Sequence, residues 1–192
     1  MKIIENVSNE PNIVKRPSFE EYYLNIAKAV SERSTCLRRH YGAVIVKDNR
    51  IISTGYNGSA SGEINCCDKG VCKREELKIP HGERYEMCEA VHAEQNAILQ
   101  ASASEMKDAI MYVYGYDCIE DKMCSGKACK MCNRFIRNSG IRIVVISDPE
   151  SEDGYSKIIV KASKSLLSNS YKAGIRNGKI YITLDDGREI YI

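Results

Sequence analysis

Two short stretches of the chain carry side chains that can bind a metal ion. In the first, His92 lies two residues before Glu94, and in the second, Cys129 lies three residues before Cys132. One imidazole nitrogen and two thiolates give zinc three protein ligands and leave a fourth position open, which is typical of a catalytic rather than a structural site. Because Glu94 is too close to His92 in sequence to be a comfortable fourth ligand, we expect it to move protons on and off the metal-bound water.

The combination His-x-Glu with Cys-x-x-Cys is the signature of the zinc nucleobase and nucleoside deaminases. A lone Cys-x-x-Cys is a weak signal, whereas its combination with His-Ala-Glu across an intervening strand is specific. Two other interpretations remain open at this point, namely a four-ligand structural zinc site and a redox-active cysteine pair.

The composition is that of one soluble domain of 192 residues, with 43% hydrophobic and 28% charged residues. No apolar run approaches 18 residues and the N-terminus has no apolar signal stretch, so we predict a cytoplasmic protein that does not span a membrane. A net charge of +2 gives no electrostatic reason to expect nucleic-acid binding. Without a secretory signal, the nine cysteines indicate metal ligands or buried thiols rather than disulfides.

The segment 63–88 is irregular and rich in cysteine. We predict a second, structural zinc ion there, because four sulfur ligands make a closed site and a long loop needs a cross-link. Free or partly buried thiols are the alternative. The four cysteines concerned are Cys66, Cys67, Cys72 and Cys88.

Hydrophobic periodicity and turn residues predict the elements that position these groups. Ser18 and Glu21 have the spacing of a capping box, so a helix should begin there. The predicted elements are a helix from Ser18 to about Arg33, a hairpin of Tyr41–Val46 and Ile51–Tyr56, a helix over Glu89–Ala101, a strand over Ile110–Tyr114, a helix over Cys129–Ser139 that ends at Gly140, a strand over Ile141–Ile146, a helix over Ile158–Leu167 and a terminal hairpin over Lys179–Ile192. This order favours an α/β fold with helices in three layers around a mixed sheet.

Three segments, Arg38–Val46, Ile51–Gly58 and His92–Ile98, strongly resemble the deoxycytidylate (dCMP) deaminases of the cytidine deaminase-like superfamily. The resemblance covers roughly residues 17–147, so we expect a single domain over 1–192 with this core and an extension over 148–192. It implies a three-layer α/β/α fold with a five-stranded mixed sheet, and zinc-dependent hydrolysis of dCMP to dUMP with release of ammonia. Two departures are Ala128, where the family usually has proline, and a longer loop over Tyr116–Lys127.

The same resemblance implies roles for individual residues and partners. Asn57 would contact the sugar, and the backbone of Ala93 would hold the pyrimidine edge. It also implies a homo-oligomer, either hexamer or dimer, and regulation by dCTP and dTTP through a nucleotide effector site that would use Mg²⁺.

A nucleotide substrate also needs a cation for its phosphate. Among the cations near predicted element ends, which include Lys47 and Arg84, we favour Arg38 or Arg39, because a guanidinium fork suits phosphate. A solvated surface pair is the alternative. Tyr114 or Tyr116 is a candidate for stacking on the base, and both are equally well explained as core or rim tyrosines.

Three other functions fit parts of the pattern. One is a deaminase acting on another nucleoside, nucleotide or base, although near-neutral charge argues against RNA, whose binding depends on phosphate contacts. Another is a zinc-stabilised regulatory module without catalysis, against which Glu94 argues, since a structural site has no use for that carboxylate. The third is a redox Cys-x-x-Cys protein, which would have oxidisable thiols and no zinc.

Overall fold

The computed structural model describes residues 16–80, 82–160, 172–176, 179–183 and 189–191. The α-helices in these parts of the chain are α1 (Phe19–Ser31), α2 (Cys66–Lys69), α3 (Lys73–Glu76), α4 (Ala93–Leu99), α5 (Ala103–Met106) and α6 (Lys130–Ser139), and a 3₁₀ turn covers Tyr85–Met87. The strands are β1 (Arg39–Lys47), β2 (Arg50–Tyr56), β3 (Gly58–Ser59), β4 (Ala90–Val91), β5 (Ile110–Asp117), β6 (Lys122–Cys124), β7 (Ile143–Ser147), β8 (Tyr155–Ile159), β9 (Lys172–Arg176), β10 (Lys179–Thr183) and β11 (Glu189–Tyr191).

The central sheet is mixed, as predicted. Its main path runs β2-β1-β5-β7-β8, and the short strand β6 pairs with β5 at the side. Strands β5 and β7 are parallel, because α6 lies on the crossover between them, and all other pairs are antiparallel. The β1–β2 hairpin turns at Asp48 and Asn49, both with positive φ, which matches the twist of the strands.

Helices cover both faces of this sheet, so the predicted three-layer arrangement is confirmed. Side chains alternate along each strand, and alternate residues therefore belong to two separate apolar clusters. The cluster under α1 contains Tyr23, Leu24, Ala27, Val44, Val46, Tyr112 and Val145. The cluster under α4 and α6 includes Ala43, Ile45, Ala93, Ala97, Met111, Val113, Ile136, Val144 and Ile146.

Helix α1 begins where the sequence predicts. The Ser18 hydroxyl accepts a hydrogen bond from the Glu21 N–H at 3.2 Å, and the Ser18 N–H donates to the Glu21 carboxylate at 2.6 Å. This capping box satisfies two of the backbone donors that a helix start leaves unpaired.

Two glycines in the hairpin allow the helices to approach the sheet directly. A Cβ at Gly42 would lie 2.0 Å from the Ala27 carbonyl oxygen of α1. A Cβ at Gly55 would lie 2.3 Å from the Ala97 nitrogen and 2.4 Å from the Ala93 oxygen of α4. The backbone of helix α4 therefore packs directly against β2 at Gly55, and this contact fixes the position of His92 and Glu94.

Two predicted helices differ from the structure. The helix over Glu89–Ala101 is shorter, because Ala90 and Val91 pair with β3, so that α4 starts only after His92. The prediction of a helix over Ile158–Leu167 is wrong at its start, because Ile158 and Ile159 belong to strand β8, which pairs with the edge of β7. Residues 161–167 of that prediction lie outside the described residues.

The two strands of the predicted terminal hairpin pair antiparallel as β10 and β11, whereas its predicted turn over residues 184–188 lies outside the described residues. Strand β9 adds a strand that the sequence did not predict. The division into a core over 17–147 and an extension over 148–192 stays a prediction. None of the described helices combines the length and the apolar character that crossing a membrane requires.

Candidate active site

The starts of two helices bring the three metal-binding candidates together. His92 is the N-cap of α4 and Cys129 is the N-cap of α6, whose first turn also contains the buried Cys132. His92 Nδ1 lies 3.7 Å from Cys129 Sγ and 3.3 Å from Cys132 Sγ. The Gln95 side chain accepts a hydrogen bond from the His92 N–H at 3.0 Å, which fixes the backbone at this helix start.

These three donors fit a zinc ion. With zinc–nitrogen and zinc–sulfur bonds of about 2.0–2.3 Å at tetrahedral angles, donor atoms are separated by about 3.6 Å. The two observed separations lie on either side of that value, and all three donor atoms are within 4.8 Å of one another. In the described part of the chain, this is the one group of three or more histidine, cysteine or acidic donors that meets that distance.

The electrostatics of the group favour a thiolate. Cys129 accepts hydrogen bonds from the Cys132 thiol and from His92, and these bonds lower the pKa of the Cys129 thiol to about 3. The same bond from Cys132 raises the pKa of the Cys132 thiol, because the proton stays on that sulfur. One thiol of the pair is therefore already ionised, and a metal ion would displace the remaining proton.

Glu94 is a buried acid beside this group. It is only 6% exposed, and the absence of solvent raises the pKa of its carboxyl group. Its side chain lies within hydrogen-bonding range of the Cys132 thiol. A carboxyl group whose pKa is raised binds a proton more readily than a solvated one, which suits a group that carries protons.

A cavity of about 130 Å³ opens in front of His92, Glu94 and Cys129. The predicted substrate residues Arg38, Arg39, Asn57 and Ala93 also line it. The sequence did not identify Tyr41, Arg74, Tyr85 and Lys127 as lining residues, and the structure adds them. Arg74 and Tyr85 belong to the irregular segment 63–88, where no periodicity shows which side chains face inward.

Asn57 holds the loop after β2 in place. Its amide oxygen accepts hydrogen bonds from Ser34 Oγ at 2.7 Å and from the Tyr41 N–H at 2.7 Å, and its amide nitrogen donates to the Arg39 carbonyl at 2.9 Å. One N–H of the amide remains for a ligand in this set of contacts. The predicted contact of Asn57 with a sugar would therefore use a side chain that is already rigid.

The two arginines favoured for phosphate both have carboxylate partners. Arg38 Nε lies 3.2 Å from Glu75, and Arg39 Nε donates to Asp117 at 3.0 Å. Burial opposes ionisation of Asp117, but the N–H groups of Glu120 and Ile119 and the Arg39 guanidinium hold the pKa of Asp117 below its usual value. The Arg39–Asp117 pair thus ties the start of β1 to the end of β5.

Tyr114 is not a residue of this cavity. Its side chain packs with the cluster under α1, on the opposite face of the sheet from α4, and it borders a separate groove near Arg16 and Tyr155. The alternation of β5 explains this, because Val113 occupies the face beneath α4. The structure therefore corrects the suggestion that Tyr114 stacks on a bound base.

The four cysteines predicted to bind a second zinc do not all come together. Cys66 and Cys72 are buried and Cys88 is partly buried, but Cys67 is exposed and its thiol faces Asp68 at 3.6 Å. Burial raises the pKa of the Cys66 thiol, and the neighbouring thiols of Cys36, Cys72 and Cys88 raise it further. Cys36, which the sequence did not single out, is thus also near Cys66, but no three of these thiols lie within 4.8 Å of one another in the described residues.

Comparison with known proteins identifies the family. The family model for the cytidine and deoxycytidylate deaminase zinc-binding region matches residues 17–148. The deoxycytidylate deaminase of Mycobacterium phage D29 is 36% identical over 137 residues, which cover 69% of this chain and 96% of the phage protein. The deoxycytidylate deaminase of Schizosaccharomyces pombe is 32% identical over 77% of this chain, and the matched part spans only 42% of the yeast protein.

The dCMP deaminase structure from the cyanophage S-TIM5 is 25% identical, covers 67% of this chain and 81% of that chain, and has a TM-score of 0.47. The chain spans less than half the length of the yeast relatives it matches and nearly the whole of the D29 protein. The match to the family model extends over more than half of the chain and includes His92, Glu94, Cys129 and Cys132. On the strength of that match and of the 36% identical relative, the chain belongs to the zinc-binding cytidine and deoxycytidylate deaminase family.

Proposed function

We propose that this protein catalyses the hydrolytic deamination of dCMP to dUMP, with release of ammonia and with zinc as its cofactor. The observation that carries the proposal is the buried carboxyl group of Glu94 next to His92, Cys129 and Cys132 in one cavity. Deoxycytidylate deaminase is also the name of relatives that match most of this chain, including one matched over 96% of its length.

His92, Cys129 and Cys132 would hold the zinc ion. When bound, zinc supplies a nucleophile at neutral pH, because it lowers the pKa of a bound water to about 7. Two thiolates place negative charge on the metal and weaken that effect. The start of α6 offsets part of it, since Cys129 accepts a hydrogen bond from the Cys132 N–H at 3.4 Å.

Glu94 would carry the protons of the reaction. It would accept one proton from the attacking water and transfer it to N3 of the pyrimidine. It would then take the remaining proton of the same oxygen, as the C4 carbonyl forms, and deliver it to the amino group, which leaves as ammonia. Positioned proton transfer of this kind contributes about 10²–10⁴-fold to a rate. Asn57 and the backbone of Ala93 would hold the sugar and the pyrimidine edge in the same cavity.

Replacement of Glu94 tests this proposal. Glu94→Gln keeps the size of the side chain and removes its ability to carry a proton, so we expect zinc content to be retained and turnover of dCMP to fall by at least about 10²-fold. Glu152→Gln is the matched control, because Glu152 is exposed and does not line the cavity. A Glu94→Gln variant that retains wild-type turnover with full zinc content would overturn the mechanism.

We further propose a second, structural zinc held by Cys36, Cys66, Cys72 and Cys88. Four sulfurs suit such a site, and the thiols of Cys36, Cys72 and Cys88 are near enough to raise the pKa of Cys66. No three of these thiols lie within 4.8 Å of one another in the described part of the chain, so the metal would have to draw them together. The wild type should then contain two zinc ions per chain. Cys72→Ser should reduce the count to one, whereas Cys67→Ser should leave it at two, and a count of one in the wild type would refute this site.

A cytoplasmic homo-oligomer completes the proposal. Large apolar side chains are exposed at separate places on the surface, including Phe135 on α6 and Ile119 after β5, and burial of such groups stabilises subunit contacts. Light scattering should give a mass of two or six chains, and a monomer at micromolar concentration would contradict this part.

A further inference from the structure

Arg74 is a buried cation that the mechanism above does not use. Arg74 lies on α3, is only 6% exposed to solvent, and lines the same cavity as His92 and Glu94. A charged group is rarely buried to this extent unless it is paired, because removal from water disfavours the charge.

The guanidinium is held rigidly on one side. Its Nη2 donates to the Pro80 carbonyl at 2.9 Å, and its carbon lies 4.8 Å from the centre of the Tyr85 ring. The Tyr85 ring in turn contacts His92 edge-on, with 5.3 Å between the ring centres. One aromatic ring, that of Tyr85, therefore contacts both the Arg74 guanidinium and the His92 imidazole.

Among the described residues, the other side of the guanidinium has no hydrogen-bond partner. Its Nη1 is buried and forms no hydrogen bond within the part of the chain that the structure describes. No carboxylate among the same residues pairs with Arg74, whereas Arg38 pairs with Glu75 and Arg39 with Asp117. An unsatisfied buried donor is costly, so a polar site of this kind points to a ligand that supplies the missing acceptor.

We propose that Arg74 binds the 5′-phosphate of the nucleotide and is the residue that selects a nucleotide over a nucleoside. This inference rests on the proposed function, since it assigns a part of the same cavity. A phosphate dianion supplies both the countercharge and the acceptor that Nη1 needs, and a guanidinium matches phosphate geometry better than an ammonium group does. Tyr85 and the Pro80 carbonyl orient the group before the substrate arrives.

Four thiolates around the proposed second zinc would form a competing anionic group near Arg74, because Cys72 lies two residues before Arg74. Burial raises the pKa of the Cys88 thiol, and the Arg74 guanidinium opposes that rise, so the two groups are close enough to interact. If Arg74 served that metal, its removal would reduce the zinc content and would affect nucleotides and nucleosides alike. The experiment below separates the two roles.

The test compares Arg74→Met and Arg74→Lys with Arg84→Met, an exposed arginine of the same segment that serves as the control. For each variant we would measure zinc content, kcat and KM for dCMP, and inhibition of that turnover by dUMP, deoxyuridine and inorganic phosphate. In Arg74→Met the inhibition constant of dUMP should rise by about 10²-fold, and inhibition by inorganic phosphate should be lost. The constant of deoxyuridine should change by less than about 3-fold, and KM for dCMP should rise far more than kcat falls.

Arg74→Lys keeps a charge but loses the fork, so it should recover part of the dUMP affinity. If Arg74→Met loses its zinc or does not fold, Arg74→Lys decides, with an expected rise of about 10-fold for dUMP and none for deoxyuridine. Equal changes for dUMP and deoxyuridine, or no change for either, would overturn the assignment of Arg74 and leave the proposed function intact. Failure of the zinc-loaded wild type to deaminate dCMP would overturn both.

Discussion

Gly55→Ala should displace the start of α4 and disable the site without touching any of its side chains. The added Cβ would lie 2.3 Å from the Ala97 nitrogen, 2.4 Å from the Ala93 oxygen and 2.9 Å from the Asn96 carbonyl carbon. All three atoms belong to backbone, so no side chain can rotate out of the way. Restoring an ordinary contact of 3.4 Å requires α4 to move away from β2 by about 1 Å.

Such a shift has two measurable consequences. Overpacking of this kind costs about 1–3 kcal/mol of stability, and a 1 Å misplacement of catalytic groups costs about 10²-fold in rate. Since His92 and Glu94 open α4, both should move relative to Cys129 and Cys132 on α6. We therefore expect Gly55→Ala to lower the free energy of unfolding by about 1–3 kcal/mol, to weaken zinc binding and to reduce kcat for dCMP by about 10²-fold.

Gly62→Ala provides the control for this effect. Gly62 has a φ of +88°, and a Cβ there would meet nothing within 4 Å. Alanine at Gly62 should therefore cost about 1 kcal/mol through backbone strain alone and leave kcat unchanged. Wild-type kcat and zinc content in folded Gly55→Ala would refute the argument that the direct contact between β2 and α4 positions the site.

Two further changes should act on stability. Ser18→Ala removes the capping box of α1, a helix on the face of the sheet opposite α4. Urea unfolding should therefore show a loss of about 1 kcal/mol in stability, while kcat and KM stay unchanged. A parallel loss of activity would contradict the separation of the two faces. Asp117→Asn should destabilise the protein by about 1 kcal/mol or more at pH 7, because Asp117 has its pKa lowered by its hydrogen-bond donors and by Arg39. Ionised Asp117 contributes stability that is complete above the unfolded pKa of about 3.9 and is lost as pH falls through the lower folded pKa. The free energy of unfolding of Asp117→Asn should therefore fall less steeply with decreasing pH than that of the wild type below about pH 4. Identical acid-unfolding curves would refute the role of this carboxylate.

The metal-binding group was predictable because its signal is local. Cys129 and Cys132 are three residues apart, which places both in the first turn of a helix, and Gly140 ends that helix as expected. His92 and Glu94 were likewise identified from their spacing, although the structure makes His92 an N-cap rather than a residue inside the helix.

What the sequence left undetermined depends on contacts between distant segments. Tyr114 and Val113 are neighbours in β5, and only the packing of α4 decides which of them faces the site. The isoleucines at residues 158–159 suit a helix or a strand. They form part of strand β8 because the edge of β7 offers backbone hydrogen bonds to a further strand. The burial of Arg74 arises in a segment without periodicity and could not be read from residue types.

The most direct test of the central claim is ammonia release from dCMP by wild-type protein whose zinc content has been counted, with cytidine, deoxycytidine, dCTP and guanine measured in parallel. The account predicts turnover of dCMP in strong preference to the other four, with at least one zinc per chain. Zinc-loaded protein that releases ammonia from none of them, or from one of the other four in preference to dCMP, would contradict it.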